Sequence, residues 1–135
     1  MKAYFTRAYT FSASHRLHVD ALSAAENQAI FGKCNNPYGH GHNYRLEVTI
    51  YGVVDPETGM VINMATLDSV VAQQITERFD HTNLNLDPIF AHQVSSTENL
   101  CIAAFNLLKP SLEPAMLDKI RIEETENNFF EYSGR

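Results

Sequence analysis

Cys34-Asn35-Asn36-Pro37-Tyr38-Gly39-His40-Gly41-His42-Asn43-Tyr44 runs straight into Arg45-Leu46-Glu47-Val48-Thr49-Ile50, and the reading of this stretch decides the fold. From His42 to about Val54, apolar and polar residues alternate. Tyr44, Leu46, Val48 and Ile50 share parity with His40 and His42, while Arg45, Glu47, Thr49 and Tyr51 face the other way. A period of two over this length predicts a half-buried strand. Two imidazoles at i and i+2 on such a strand project to the same side, a geometry that suits one metal ion. Pro37-Tyr38-Gly39 reads as the turn that enters the strand, and Gly39 and Gly41 leave room where a metal or substrate must approach the backbone.

Upstream, residues 3–15 alternate in the same way. Phe5, Arg7, Tyr9, Phe11, Ala13 and His15 lie on one face, and Tyr4, Thr6, Ala8, Thr10, Ser12 and Ser14 on the other. His15 therefore closes the apolar row of a first strand as His40 and His42 open that of the second. If the two strands are neighbours, His15, His40 and His42 converge into a three-nitrogen set with an open position, the pattern of a catalytic zinc. Cys34 bears two readings. It closes the set as a fourth ligand of a structural zinc, or it acts as an acid, base or nucleophile, since a nearby Zn²⁺ or imidazolium favours the thiolate. The long connection from Arg16 to Lys33 holds a short helical stretch, Ser23 to Ile30, in which Ser23 and Glu26 fit a capping box.

Downstream, Asp55-Pro56-Glu57-Thr58-Gly59 is a turn by composition and is followed by the short apolar run Met60-Val61-Ile62. Asn63 then caps a helix with Leu67, Val70, Val71, Ile75 and Phe79 at helical spacing. Asp80-His81 lies just past its end, where a carboxylate can orient an imidazole as a proton relay. Ser95-Ser96-Thr97-Glu98 reads as a second capping box, and Leu100, Cys101, Ala104, Phe105 and Leu108 give the next helix an apolar stripe that stops at Pro110. Ile120 and Ile122 alternate with Lys119, Arg121 and Glu123 in a third strand, and Asn127-Asn128 turns it into a fourth, Phe129 to Tyr132. The order is ββααββ. It predicts an α+β domain spanning 1–135, with a four-stranded antiparallel sheet and two helices on one face. In the third strand Glu124 has the parity of Ile120 and Ile122. Either it is buried and needs a cation or a fork of N–H donors, or the strand ends at Ile122 and the carboxylate is solvated.

The 135 residues, 44% of them hydrophobic, are enough for one ordinary core. A net charge of -6 without a Lys/Arg cluster argues against a nucleic-acid or anionic-membrane partner. The absence of a secretory h-region and of any apolar run of about eighteen residues predicts a cytoplasmic protein. Cys34 and Cys101 sit in different contexts, so no structural disulfide is expected, and His18 and His92 stand apart as surface residues.

Five motifs in order carry a resemblance: Phe11-Ser12-Ala13-Ser14-His15-Arg16-Leu17, Phe31-Gly32-Lys33-Cys34-Asn35-Asn36-Pro37 with Gly39 to Tyr44, Asp80-His81-Thr82-Asn83-Leu84, Ser96-Thr97-Glu98-Asn99, and Glu124-Thr125-Glu126-Asn127-Asn128. On these the chain resembles the 6-pyruvoyl-tetrahydropterin synthase family. The resemblance implies a tunnelling fold whose sheets join into a trimeric barrel, two trimers making a homohexamer with active sites between subunits. It implies that His15, His40 and His42 bind zinc and that Cys34 is the proton acceptor. Asp80 and His81 would form a relay from a neighbouring subunit, and Glu124 would anchor the pterin's aminopyrimidine edge, assisted by Thr97 and Glu98. The implied reaction is that of a lyase, conversion of 7,8-dihydroneopterin triphosphate to 6-pyruvoyl-tetrahydropterin with loss of triphosphate. Lys33 and Arg16 are cations for the triphosphate, and magnesium enters with it. A sister activity, 6-carboxytetrahydropterin synthase, uses the same substrate and loses the side chain as acetaldehyde. That branch typically has three residues between the cysteine and the His-Gly-His pair, where this chain has five. A zinc-stabilised pterin-binding protein without turnover is the reading from another class, which intact Cys34, Asp80 and His81 oppose.

Overall fold

The alternation over the two histidine-bearing stretches produces the two longest strands. In the computed structural model, which describes residues 1–135, the elements in order are β1 (Lys2–His15), α1 (Ala24–Phe31), β2 (His40–Val53), α2 (Met64–Val71), α3 (Glu77–Phe79), β3 (Thr82–Asn83), α4 (Thr97–Leu108), β4 (Met116–Thr125) and β5 (Asn128–Tyr132). β1 and β2 pair antiparallel along their whole length, from Lys2 opposite Val53 to His15 opposite His40. This register brings the three histidines to one end of the sheet. β4 pairs with the other edge of β2, with a bulge between Thr49 and Ile50, and β5 folds back on β4.

The sheet has five strands in the order β3-β1-β2-β4-β5, one more than the four predicted. The extra strand, β3, runs parallel to Ala13 and Ser14 of β1 and is only two residues long. So short a segment has no periodicity to read; it exists because His81 N–H reaches the Ser12 carbonyl at 2.5 Å after α3 has ended.

A cluster of 21 buried residues fills the space between one sheet face and the helices. The sheet gives Phe11, Tyr44, Leu46, Val48, Ile50, Ile120 and Ile122, and the helices give Leu67, Val71, Ile75, Phe79, Leu100, Cys101, Phe105 and Leu108. These are the rows that the parity and helical spacing assign to the core. Burying each of the larger aliphatic side chains contributes roughly 1.5–3 kcal/mol. The opposite sheet face carries Thr6 and Thr49, hydroxyl to hydroxyl at 2.8 Å, and Arg121 between Glu47 and Glu123.

Helix starts follow their caps. Ser23 and Glu26 form the reciprocal capping box, and Asn63 accepts from Ala65 and Thr66 N–H. The start of α4 departs from expectation by one residue: Ser96 is the N-cap, accepting from Asn99 N–H, which releases Ser95 for another task. α2 and α3 are joined by a π-helical turn, Ala72–Thr76, that the apolar spacing does not betray. Arg7 and Tyr9 both hold Asp68 of α2, at 2.7 Å each, which fastens that helix to β1.

Candidate functional site

The β1–β2 register and the parity of β4 together build a cluster at the end of the sheet. One ligand atom from each of His15, His40, His42 and Glu124 lies within 4.8 Å of the others, so these four residues could hold a metal ion. The imidazole centroids are 4.6 Å apart for His15 and His40, 4.8 Å for His40 and His42, and 5.1 Å for His15 and His42. His15 is 1% exposed. Its Nδ1 donates to the Ser95 carbonyl at 2.7 Å, which leaves the Nε2 lone pair facing His40 Nε2 at 3.1 Å.

Burial lowers the pKa of His15 below the usual imidazole value, although the Ser95 carbonyl and Glu124 oppose this; the neighbouring imidazoles act with burial. Burial also lowers that of His42, against the pull of Glu124. Both are therefore neutral at pH 7, as metal ligands must be. His42 Nε2 lies 2.8 Å from Glu124 Oε1 without the alignment of a hydrogen bond, and His40 Nδ1 is buried and unpartnered. A set of imidazoles whose nitrogens are pressed together and short of partners fits a divalent cation better than it fits a hydrogen-bonded core.

Glu124 is 15% exposed at its side chain, and β4 continues past it to Thr125, so the solvated alternative is not realised. In place of the cation or N–H fork that its parity called for, Glu124 accepts from the Thr97 hydroxyl on Oε2 at 2.8 Å and lies beside His42. Cys34 is not part of the four-residue group. It lies in the 3-10 turn Gly32–Asn35, partly exposed, and its carbonyl accepts from Leu17 N–H at 2.9 Å. Glu98 is exposed on the first turn of α4, outside the group.

Gly39 has φ 75°, and a Cβ there would stand 3.1 Å from the His15 carbonyl oxygen. The crowding neighbour is thus the backbone of β1 rather than a ligand. At Gly41 a Cβ would make an ordinary 3.7 Å contact with the Ala13 carbonyl.

Asp80 and His81 sit beyond α3. Asp80 Oδ1 accepts from Ser12 N–H at 2.9 Å and meets His81 Nδ1 at 3.0 Å. The Ser12 N–H first, and His81 second, hold the Asp80 carboxyl below its usual range. His81 has φ 60° and a side chain 82% exposed, so its ring reaches outward from the rest of the chain. Two clefts flank the histidines. One of about 550 Å³ is lined by His15, Arg16, His18, Tyr38, Asn85 and His92 among others, and one of about 450 Å³ by His42, Asn43, Ser12 and His81. Lys33 is exposed and lines neither. His18 is not free on the surface, because its Nδ1 accepts from Asn35 Nδ2 at 2.9 Å.

Two participants escaped the sequence reading. The Ser95 carbonyl leaves no side-chain signature. Tyr44 does: it is a phenol on an otherwise aliphatic row, two residues from His42, and it is fully buried. Its ring stacks on Phe11 at 5.1 Å and lies edge-on to His42 at 5.5 Å, and its hydroxyl has no hydrogen-bond partner. Burial, followed by the Glu124 charge, raises its pKa well above the usual phenol value, and the nearby Thr97 hydroxyl opposes the rise.

Comparison with known proteins agrees with this architecture. The family described as 6-pyruvoyl tetrahydropterin synthase matches residues 4–135. The 6-pyruvoyl tetrahydrobiopterin synthase of Poecilia reticulata is 48% identical, with 97% of this chain and 90% of that protein covered. The one of Homo sapiens is 46% identical, with 98% and 92% covered. The solved structure of Caenorhabditis elegans 6-pyruvoyl tetrahydropterin synthase superposes with a TM-score of 0.94 at 44% identity, covering 100% of this chain and 97% of that one. This chain belongs to the 6-pyruvoyl tetrahydropterin synthase family.

Proposed function

We propose that the chain is a 6-pyruvoyl-tetrahydropterin synthase, a lyase that takes 7,8-dihydroneopterin triphosphate to 6-pyruvoyl-tetrahydropterin with elimination of triphosphate and internal redox rearrangement of the side chain. The observation that carries this is the group of three imidazoles with a carboxylate on its rim, in a chain that matches synthases of that name over nearly its full length. His15, His40 and His42 are the residues that would hold zinc. Bound there, zinc supplies Lewis acidity toward the substrate's side-chain oxygens and so acidifies the neighbouring C–H bonds.

Proton movement belongs to the protein. Cys34 Sγ accepts a proton from the side chain, and the His81 ring, oriented by Asp80 on its Nδ1, handles the proton on the opposite face. Glu124 receives the aminopyrimidine edge, a fork of N–H donors that matches a carboxylate. Thr97 already donates to Glu124 Oε2 and fixes the plane of the carboxylate, with Glu98 assisting from the solvent side. Arg16 and Lys33 are the cations assigned to the triphosphate, which magnesium accompanies.

The exposure of His81 favours an assembly in which it serves a neighbouring subunit's site, as in a trimeric barrel doubled to a homohexamer. No helix is long and apolar enough to cross a membrane, and the assigned compartment is the cytoplasm. Incubation with 7,8-dihydroneopterin triphosphate and identification of the product by mass tests the reaction. The pyruvoyl product is expected; the carboxy product with acetaldehyde, or unreacted substrate, would overturn the assignment.

A further inference from the structure

Tyr44 is the buried polar group that neither the fold nor the proposed chemistry uses. It is 0% exposed, and its hydroxyl has no aligned hydrogen-bond partner, although the Thr97 hydroxyl stands close enough to oppose the rise in its pKa. An unmade hydrogen bond at a buried donor is costly, and native interiors leave few of them. The phenol is surrounded by groups already assigned to the site. His42 lies 5.5 Å from its ring centroid and His15 6.3 Å. The β2–β4 pairing ends at Arg45 opposite Glu123, so Tyr44 and Glu124 are the next residues on their strands, where β4 is irregular, and the Glu124 charge is felt at the Tyr44 phenol. The Thr97 hydroxyl spends its proton on Glu124 Oε2, which leaves the oxygen lone pairs of Thr97 free to accept.

We propose that Tyr44 is the positioning residue for Glu124, its phenol donating to Thr97 Oγ1, and through Thr97 to the carboxylate, once a pterin occupies Glu124. This rests on the assignment of Glu124 as the pterin anchor. Glu124 Oε1 lies 2.8 Å from His42 Nε2, and the phenol stands near Thr97 without the alignment of a hydrogen bond. A ligand that offers two N–H donors to Glu124 relieves that contact and lets the carboxylate and Thr97 settle toward the phenol. The Tyr44–Thr97 contact is thus better aligned with a pterin on Glu124 than without one, and a difference of that kind adds to affinity. The donor is also sealed from water, where its hydrogen bond is worth most.

Tyr44→Phe separates this from a packing role, because the ring that fills the core is kept. The probe is biopterin, which lacks the triphosphate, titrated into metal-loaded and metal-free protein by fluorescence. The expected result is a Kd raised about five- to tenfold, the effect of one hydrogen bond, with the midpoint of thermal unfolding of the ligand-free protein unchanged or higher. In turnover, KM rises by a similar factor while kcat changes less than twofold. Tyr44→Phe/Thr97→Ala should bind no more weakly than Thr97→Ala alone, since both act through one chain of donors. Biopterin affinity equal to wild type in Tyr44→Phe, or a lower unfolding midpoint with affinity intact, would overturn the proposal. Glu124→Gln keeps the two readings apart. If it abolishes biopterin binding while Tyr44→Phe does not weaken it, the anchor stands and the role of Tyr44 falls; if wild type itself fails to bind biopterin, both fall.

Discussion

At His15 the two ring nitrogens have different tasks. Nδ1 is committed to the Ser95 carbonyl at 2.7 Å, so the lone pair of Nε2 faces His40 Nε2 across 3.1 Å. A cation between these crowded nitrogens would supply the partner they lack, and metal binding should therefore read out directly as stability. Removing metal with a chelator is expected to abolish turnover and lower the unfolding midpoint, and zinc at about a thousand times its Kd should restore roughly 4 kcal/mol by mass action. A midpoint indifferent to chelation and zinc would mean that the four-residue group is not a metal centre. Cys34 makes the opposite prediction. It stands outside that group, so Cys34→Ala should keep metal stoichiometry and pterin affinity while turnover falls by about two to four orders of magnitude, the range of a lost acid–base group. Activity within a few-fold of wild type would remove Cys34 from the chemistry. Both outcomes are read with the same three measurements, metal content, biopterin titration and product formation.

The segment from α3 to β3 works as a bracket that carries Asp80 and His81. Arg78 at the end of α3 grips Asp87 through two nitrogens, at 2.9 and 2.8 Å, and Asp87 also caps the following 3-10 turn through Ile89 N–H. The Arg78 guanidinium is the main cause that holds the Asp87 carboxyl below its usual range. The unfolded chain thus binds the proton more readily than the folded one. The contribution of the pair is fully present above the ordinary carboxyl pKa of about 4 and is lost as the pH falls through the lower, folded value. Asp87→Asn should cost about 1–2 kcal/mol at pH 7, the range for a partly solvated charged pair, and the gap to wild type should close toward pH 3. A gap that is the same at both pH values would assign the effect to the cap rather than to the charge. This bracket also marks the limit of what is legible in the sequence. The long strands, the core rows and the convergence of His15 with His40 and His42 follow from alternation, because one face of each strand is buried. β3 does not, since two residues have no period and their pairing is imposed by the Ser12 carbonyl. Nor does the π-helical turn, which leaves the apolar spacing of α2 intact. Glu124 was half legible: parity put it on the core face, whereas its meeting with Thr97 depends on where α4 begins, one residue later than the local capping pattern suggests.

At the scale of the whole molecule, the sheet is left with an open edge. β3 covers β1 only at Ala13 and Ser14, so the outer edge of β1 from Lys2 to Thr10 has no neighbouring strand. Long unpaired edges are templates for pairing with another chain, and β5, five residues long, offers the second edge of the same sheet. Joining such edges in a ring would close three sheets into a barrel and leave no edge free, which is the physical case for the trimer within the proposed hexamer. Which backbone groups would make the junction can be read from Ser12. Its N–H donates to Asp80 and its carbonyl accepts from His81, so both point away from β2. In a strand this direction recurs every second residue, so the N–H groups of Thr10, Ala8, Thr6 and Tyr4 also face the open edge. Ala8 has an exposed, minimal side chain, and replacing it by proline removes one outward donor and puts a ring in the path of a partner strand, while every β1–β2 ladder bond is kept. Wild type should elute with a light-scattering mass near six times 15.2 kDa, about 91 kDa, and Ala8→Pro should fall to the mass of a single chain or a small oligomer with its strand signal in circular dichroism retained. Because His81 reaches outward, the dissociated variant should still take up metal at His15, His40 and His42 yet lose turnover. A wild-type monomer, or an Ala8→Pro protein still at full assembly mass, would show that this edge is not where the subunits meet.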